Sequence, residues 1–89
     1  MIEKELLIIN KLGLHARAAA KFVNASSRFI SDIWVICRGQ KVQGKSIMGL
    51  MMLMASKGTT IKLIIDGDDE TEALSALEAL INNYFGEGQ

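Results

Sequence analysis

Apolar residues in this chain gather in four short strand-like runs and, between them, in three stretches with helical spacing. Ile2 to Ile9 reads as the first strand, with charges only in its first half, and Asn10-Lys11-Leu12-Gly13 breaks it as a loop. From about Ala16 to about Arg28 the spacing is helical: Ala19, Phe22, Val23 and Ser26 share a face that Lys21, Asn24 and Arg28 avoid. The alanines at the start of this helix favour it intrinsically and leave its surface flat enough for a partner to approach.

Asp32 to Cys37 is a second strand, Arg38-Gly39-Gln40 a tight turn, and Lys41-Val42-Gln43 a third strand, short and polar enough for a sheet edge. Ser46 then stands as N-cap of a short helix over residues 47–54, closed by Lys57-Gly58. Ile61, Leu63 and Ile65 alternate through a fourth strand from Thr60 to Asp66. A last helix follows, with Asp69 as N-cap and Glu72 completing a capping box. Its apolar stripe runs through Ala73, Leu74, Leu77, Leu80, Ile81 and Tyr84, and Gly86-Glu87-Gly88-Gln89 reads as a frayed tail. The order strand, helix, two strands, helix, strand, helix predicts an α+β two-layer sandwich, with three helices on one face of a four-stranded sheet.

Composition narrows the function classes. At 89 residues the chain is expected to be a single domain over 1–89, and 49% hydrophobic residues suffice for one core. Ten basic residues balance ten acidic ones, so no bulk field draws the protein to nucleic acid or to a membrane surface. The lone Cys37 rules out an internal disulfide and, with a charged N-terminal segment and no apolar run of spanning length, points to a soluble cytoplasmic protein.

The chemistry centres on Gly13-Leu14-His15-Ala16-Arg17, which contains the only histidine. His15 falls between a turn glycine and a helix start, where Asn or Ser would ordinarily occupy the unpaired backbone N–H groups. With an imidazole there, the amides of Ala16 and Arg17 are expected to stay free, forming an anion site at the positive end of the helix dipole. Imidazole is the side chain poised for nucleophilic phosphoryl transfer near neutral pH, and the Arg17 guanidinium can pair with phosphate oxygens. Other constellations fail. Asp66, Asp68 and Glu70 alternate like a calcium loop, but Thr71 replaces its glycine and Leu77 its bidentate glutamate. One histidine and one cysteine cannot build a zinc site, no nucleotide-binding glycine loop is present, and no cofactor is expected. Arg17, Lys21, Arg28 and Lys45 form a basic rim, but without aromatic interleaving it is a poor RNA platform.

The pentapeptide together with Lys45-Ser46-Ile47-Met48-Gly49 resembles the HPr family, the histidine phosphocarriers of the bacterial phosphotransferase system. Length, element order, Ala55-Ser56-Lys57-Gly58 and the Asp66-Gly67 turn extend the resemblance over essentially the whole chain. It implies an open-faced β-sandwich of four antiparallel strands covered by three helices. It also implies that His15 accepts a phosphoryl group on its δ nitrogen from enzyme I, which is charged by phosphoenolpyruvate, and passes it to a IIA protein or domain. Ser46 is the position at which relatives are modified by a dedicated HPr kinase/phosphorylase. Ile47, Met48, Met51 and Met52, with Ala20 on the first helix, match the surface that meets both partners; methionine adapts to differently shaped surfaces. Ala18 departs from the proline common at its position, giving up backbone preorganisation but no group the chemistry uses.

This reading makes the chain a monomeric relay component rather than a free-standing enzyme. Lys21 and Arg28 are basic, but Asn24 and Ser27 are neutral where sugar-branch relatives often carry lysine, so the sugar branch and the nitrogen-regulatory branch of NPr-type paralogues both stay open. The rival from another class is a regulatory binding module acting through phosphorylated Ser46, with His15 incidental.

Overall fold

A computed structural model describes all residues from Met1 to Gln89. The elements run β1 (Ile2–Leu7), α1 (Ala16–Ser26), β2 (Asp32–Cys37), β3 (Gln40–Gln43), α2 (Ile47–Met52), β4 (Thr60–Asp66) and α3 (Glu70–Asn82), followed by one 3₁₀ turn over Tyr84–Gly86. The sheet is wholly antiparallel in the order β1-β4-β2-β3. The short polar strand β3 is therefore an edge, as its composition predicts. The central strand β4 pairs Ile61 with Leu6 and Ile65 with both Ile2 and Ile33.

Period-two alternation decides which face is covered. Leu6, Ile33, Val35, Cys37, Ile61, Leu63 and Ile65 are buried, whereas Trp34, Ile36, Lys62 and Ile64 are only half-buried on the open face. On that open face Lys41 lies over the Trp34 ring at 4.6 Å. The helices complete the core with Ala18, Ala19, Phe22, Leu50, Ala73, Leu77 and Ile81. No helix is long and apolar enough to cross a membrane.

Several boundaries differ from the sequence reading. β1 ends at Leu7, although Ile8 still exchanges backbone hydrogen bonds with Thr59 and Gly58. α1 stops at Ser26, whose hydroxyl turns back to Val23 and inward to the Gly44 carbonyl, 2.6 Å away. α2 stops at Met52: Leu53 caps it, and Met54 turns left-handed at φ 51°. Arg38 donates to the carbonyls of Leu53 and Met54 at that end. The flat alanine surface of α1 is smaller than its sequence suggests, because Ala18 and Ala19 are buried and only Ala16 and Ala20 reach solvent.

The capping box on α3 does not form. Asp69 occupies the N-cap position, yet its carboxylate accepts instead from the amides of Ile30 and Ser31 and from the Ser31 hydroxyl. It ties the α1–β2 turn to the start of α3, and those bonds, the Ser31 hydroxyl foremost, hold its carboxyl below the usual range. Tyr84 lies beyond the helix and is 38% exposed, so the core stripe passes from Ile81 to Phe85 instead.

Candidate functional site

The turn before α1 is built around Gly13 and Asn10. Gly13 has φ +69°, and a Cβ there would fall against the backbone of Ala55 and Ser56. The close approach lets Leu14 donate its amide to the Ala55 carbonyl at 2.9 Å. Asn10, fully buried, donates to the Gly13 carbonyl at 2.8 Å and locks the turn from within. Leu14 packs into the core, and the next residue emerges at the head of α1.

His15 is that residue and is itself the N-cap of α1, with extended backbone and Nδ1 accepting from the Arg17 amide at 3.3 Å. The expectation that both amides stay free is thus corrected for Arg17. The imidazole does the work of an Asn or Ser side chain, through a bond long enough to yield easily. The Arg17 side chain is exposed and forms none of the ion pairs in the molecule. With Lys11, Lys21, Glu87 and Gln89 it lines a polar depression beside the helix N-terminus. His15 also borders a second, shallow depression formed with Leu12, Leu14, Met54, Ala55 and Ser56.

The tail contributes a residue that the sequence reading missed. It is not frayed. Glu87 places Oε2 2.5 Å from His15 Nε2, while its Oε1 accepts from Asn10 Nδ2 at 3.1 Å. Phe85 is buried, and Lys21 donates to the Phe85 carbonyl at 2.7 Å, so the segment is held at the core and at α1. Tyr84 and Phe85 both adopt left-handed backbone (φ 55° and 53°), a conformation that persists only where surrounding contacts enforce it. The available signal was Phe85 itself, an aromatic that a solvated tail would have no reason to carry. Burial pushes the Glu87 carboxyl up, but the Asn10 and His15 hydrogen bonds and the nearby charge of Lys21 outweigh it and hold Glu87 below the usual range.

The remaining site candidates lie on α2. Ser46 caps it, accepting from the Gly49 amide at 3.0 Å. Leu50 and Leu53 are buried, whereas Ile47, Met48, Met51 and Met52 are exposed and, with Met54, form one apolar patch. Met54, 78% exposed, belongs to this patch and also borders the depression at His15; it extends the surface beyond the residues expected from sequence. Ala20 is half-buried on α1.

An open-faced sandwich that presents one histidine at a helix N-terminus, next to an uncommitted arginine, defines a class of small histidine phosphocarriers. Residues 2–83 match the family described as PTS HPr component phosphorylation site. The phosphocarrier protein HPr of Neisseria meningitidis serogroup A is 58% identical over 89 residues, all of each chain. That of Cupriavidus necator is 52% identical, again over the whole of both. A crystal structure of HPr-C-His from Thermoanaerobacter tengcongensis superposes with a TM-score of 0.94 at 53% identity, covering 98% of each chain. The chain belongs to the HPr family. It is a phosphocarrier of the phosphotransferase system, a relay component rather than a free-standing catalyst.

Proposed function

We propose that His15 is the carrier residue, taking a phosphoryl group on Nδ1 from phosphorylated enzyme I and passing it to a IIA protein or domain. The observation that carries this reading is the division of labour between the two ring nitrogens. Nε2 is covered by Glu87 at 2.5 Å, while Nδ1 faces only the Arg17 amide at 3.3 Å. In the transfer, the Nδ1 lone pair bonds to phosphorus and the bond from phosphorus to enzyme I breaks, its electron pair leaving with enzyme I. The Arg17 amide then exchanges Nδ1 for a phosphoryl oxygen, and the unpaired guanidinium pairs with another. The amide of Ala16 is a further donor at the same helix end. Passing the group onward reverses these steps.

Partner docking falls to Ile47, Met48, Met51, Met52 and Ala20, and Met54 joins the α2 patch to the depression at the histidine. An apolar, methionine-rich surface suits a carrier that meets two differently shaped proteins in turn. In this reading the carrier is a single domain that meets its partners as a monomer. Ser46 serves first as a cap, and phosphorylation there by an HPr kinase/phosphorylase would add negative charge at the edge of the docking patch. The relay would operate in the cytoplasm, where phosphoenolpyruvate is made.

Intact-mass spectrometry after mixing the protein with enzyme I and phosphoenolpyruvate tests the assignment, with His15→Ala in parallel. One acid-labile phosphoryl group, absent from the variant, is the expected result. Its absence with both sugar-branch and nitrogen-branch enzyme I would sink the assignment.

A further inference from the structure

Glu87 is held from three directions: Asn10 fixes one carboxylate oxygen, His15 Nε2 meets the other, and Phe85 with Lys21 anchors the chain that delivers it. Its side chain is 12% exposed against 27% for His15, so the contact lies partly out of water, where such bonds are strongest. A carboxylate accepts only, so Nε2 carries a proton. The Arg17 amide donates to Nδ1, which must therefore keep its lone pair, and the two contacts together define the neutral Nε2–H tautomer. Asn10 connects the two halves of the arrangement, because the same Nδ2 that holds Glu87 also bonds the Gly13 carbonyl in the turn that presents His15.

We propose that Glu87 is a positioning residue for His15, orienting the ring through Nε2–H and prolonging the life of the phosphorylated form. The proposal rests on His15 being the carrier. When Nδ1 bonds to phosphorus the ring becomes cationic, and part of that charge resides on the Nε2–H group that faces Glu87. In hydrolysis a water oxygen attacks phosphorus, the P–Nδ1 bond breaks, and its electron pair returns to the ring, which leaves as neutral imidazole. The carboxylate stabilises the cationic ring more than the neutral leaving group, so it slows this loss. The two ring nitrogens point in diverging directions, which keeps Glu87 off the phosphoryl oxygens. Lys11, Arg17 and Lys21 around the neighbouring depression offset the added negative charge.

The test compares the wild-type protein with Glu87→Gln and Glu87→Ala. In the unphosphorylated protein, nitrogen-resolved NMR of His15 is expected to show Nε2 protonated, with a low-field Nε2–H signal that water exchange removes in Glu87→Ala. After phosphorylation and removal of enzyme I, intact mass follows loss of the phosphoryl group. Replacing a charged by a neutral acceptor is expected to speed that loss about fivefold in Glu87→Gln. A protonated Nδ1 in the wild type, or equal lifetimes in wild type and Glu87→Gln, would overturn the proposal. If no enzyme I phosphorylates the wild type, the carrier assignment fails by itself. The tautomer and exchange measurements still decide the role of Glu87.

Discussion

Replacing Phe85 by alanine removes the anchor on which the tail depends. The side chain is fully buried, and truncating a buried phenylalanine costs about 3–5 kcal/mol when the surroundings cannot collapse. Here they can partly respond, because the variant segment is free to lift away. Release relaxes two left-handed residues, Tyr84 and Phe85, each worth about 1–2 kcal/mol of strain. Against that relief stand the Lys21 bond to the Phe85 carbonyl and the Glu87 bonds to Asn10 and His15. A net loss of about 2–3 kcal/mol follows, which in a domain of this size lowers the Tm by about 10–20 °C. Urea unfolding measures the free energy, and hydrogen exchange at Gly86 and Glu87 reports whether the tail lifts. The donors there, to Asn83 and Tyr84, should lose protection before the sheet does. A loss below about 1 kcal/mol, with protection at Glu87 retained, would refute the view that Phe85 holds the tail at the site.

Gly13→Ala should destabilise by more than about 1 kcal/mol in thermal unfolding, since the new Cβ meets the Ala55–Ser56 backbone at a left-handed φ. Met54→Gly should do the opposite, raising stability by about 0.5–1 kcal/mol through relief of an exposed left-handed residue, while weakening capture by enzyme I in a binding titration. Ser46→Ala should cost about 1 kcal/mol from the lost bond to the Gly49 amide, measured by denaturant unfolding. The depressed carboxyl of Asp69 stabilises the fold fully above the ordinary carboxylate pKa, and that contribution disappears as pH falls through its lowered folded value. Asp69→Asn should therefore be less stable at neutral pH and lose less on acidification, a difference that melts between pH 7 and pH 2 would reveal.

Much of this protein is legible without its fold. Four strands and three helices follow from local periodicity, because burying one face of a strand or helix imposes period two or 3.6 on the sequence itself. The histidine, its arginine and the Ser46 cap lie within a few residues of their helix starts, so short-range geometry suffices to recognise them. Long-range pairing decided the rest. Nothing local to Asp69 shows that its carboxylate serves Ser31, 38 residues away, rather than its own helix. Glu87 likewise acquires its role from contacts with Asn10 and His15, 77 and 72 residues distant. The Arg17 amide is a short-range case that capping rules reach only once an imidazole is admitted as an acceptor. The sequence determined which residue is chemically able to carry a phosphoryl group. The tertiary structure decided which of its nitrogens is covered and which is open, because that depends on where the two ends of the chain meet.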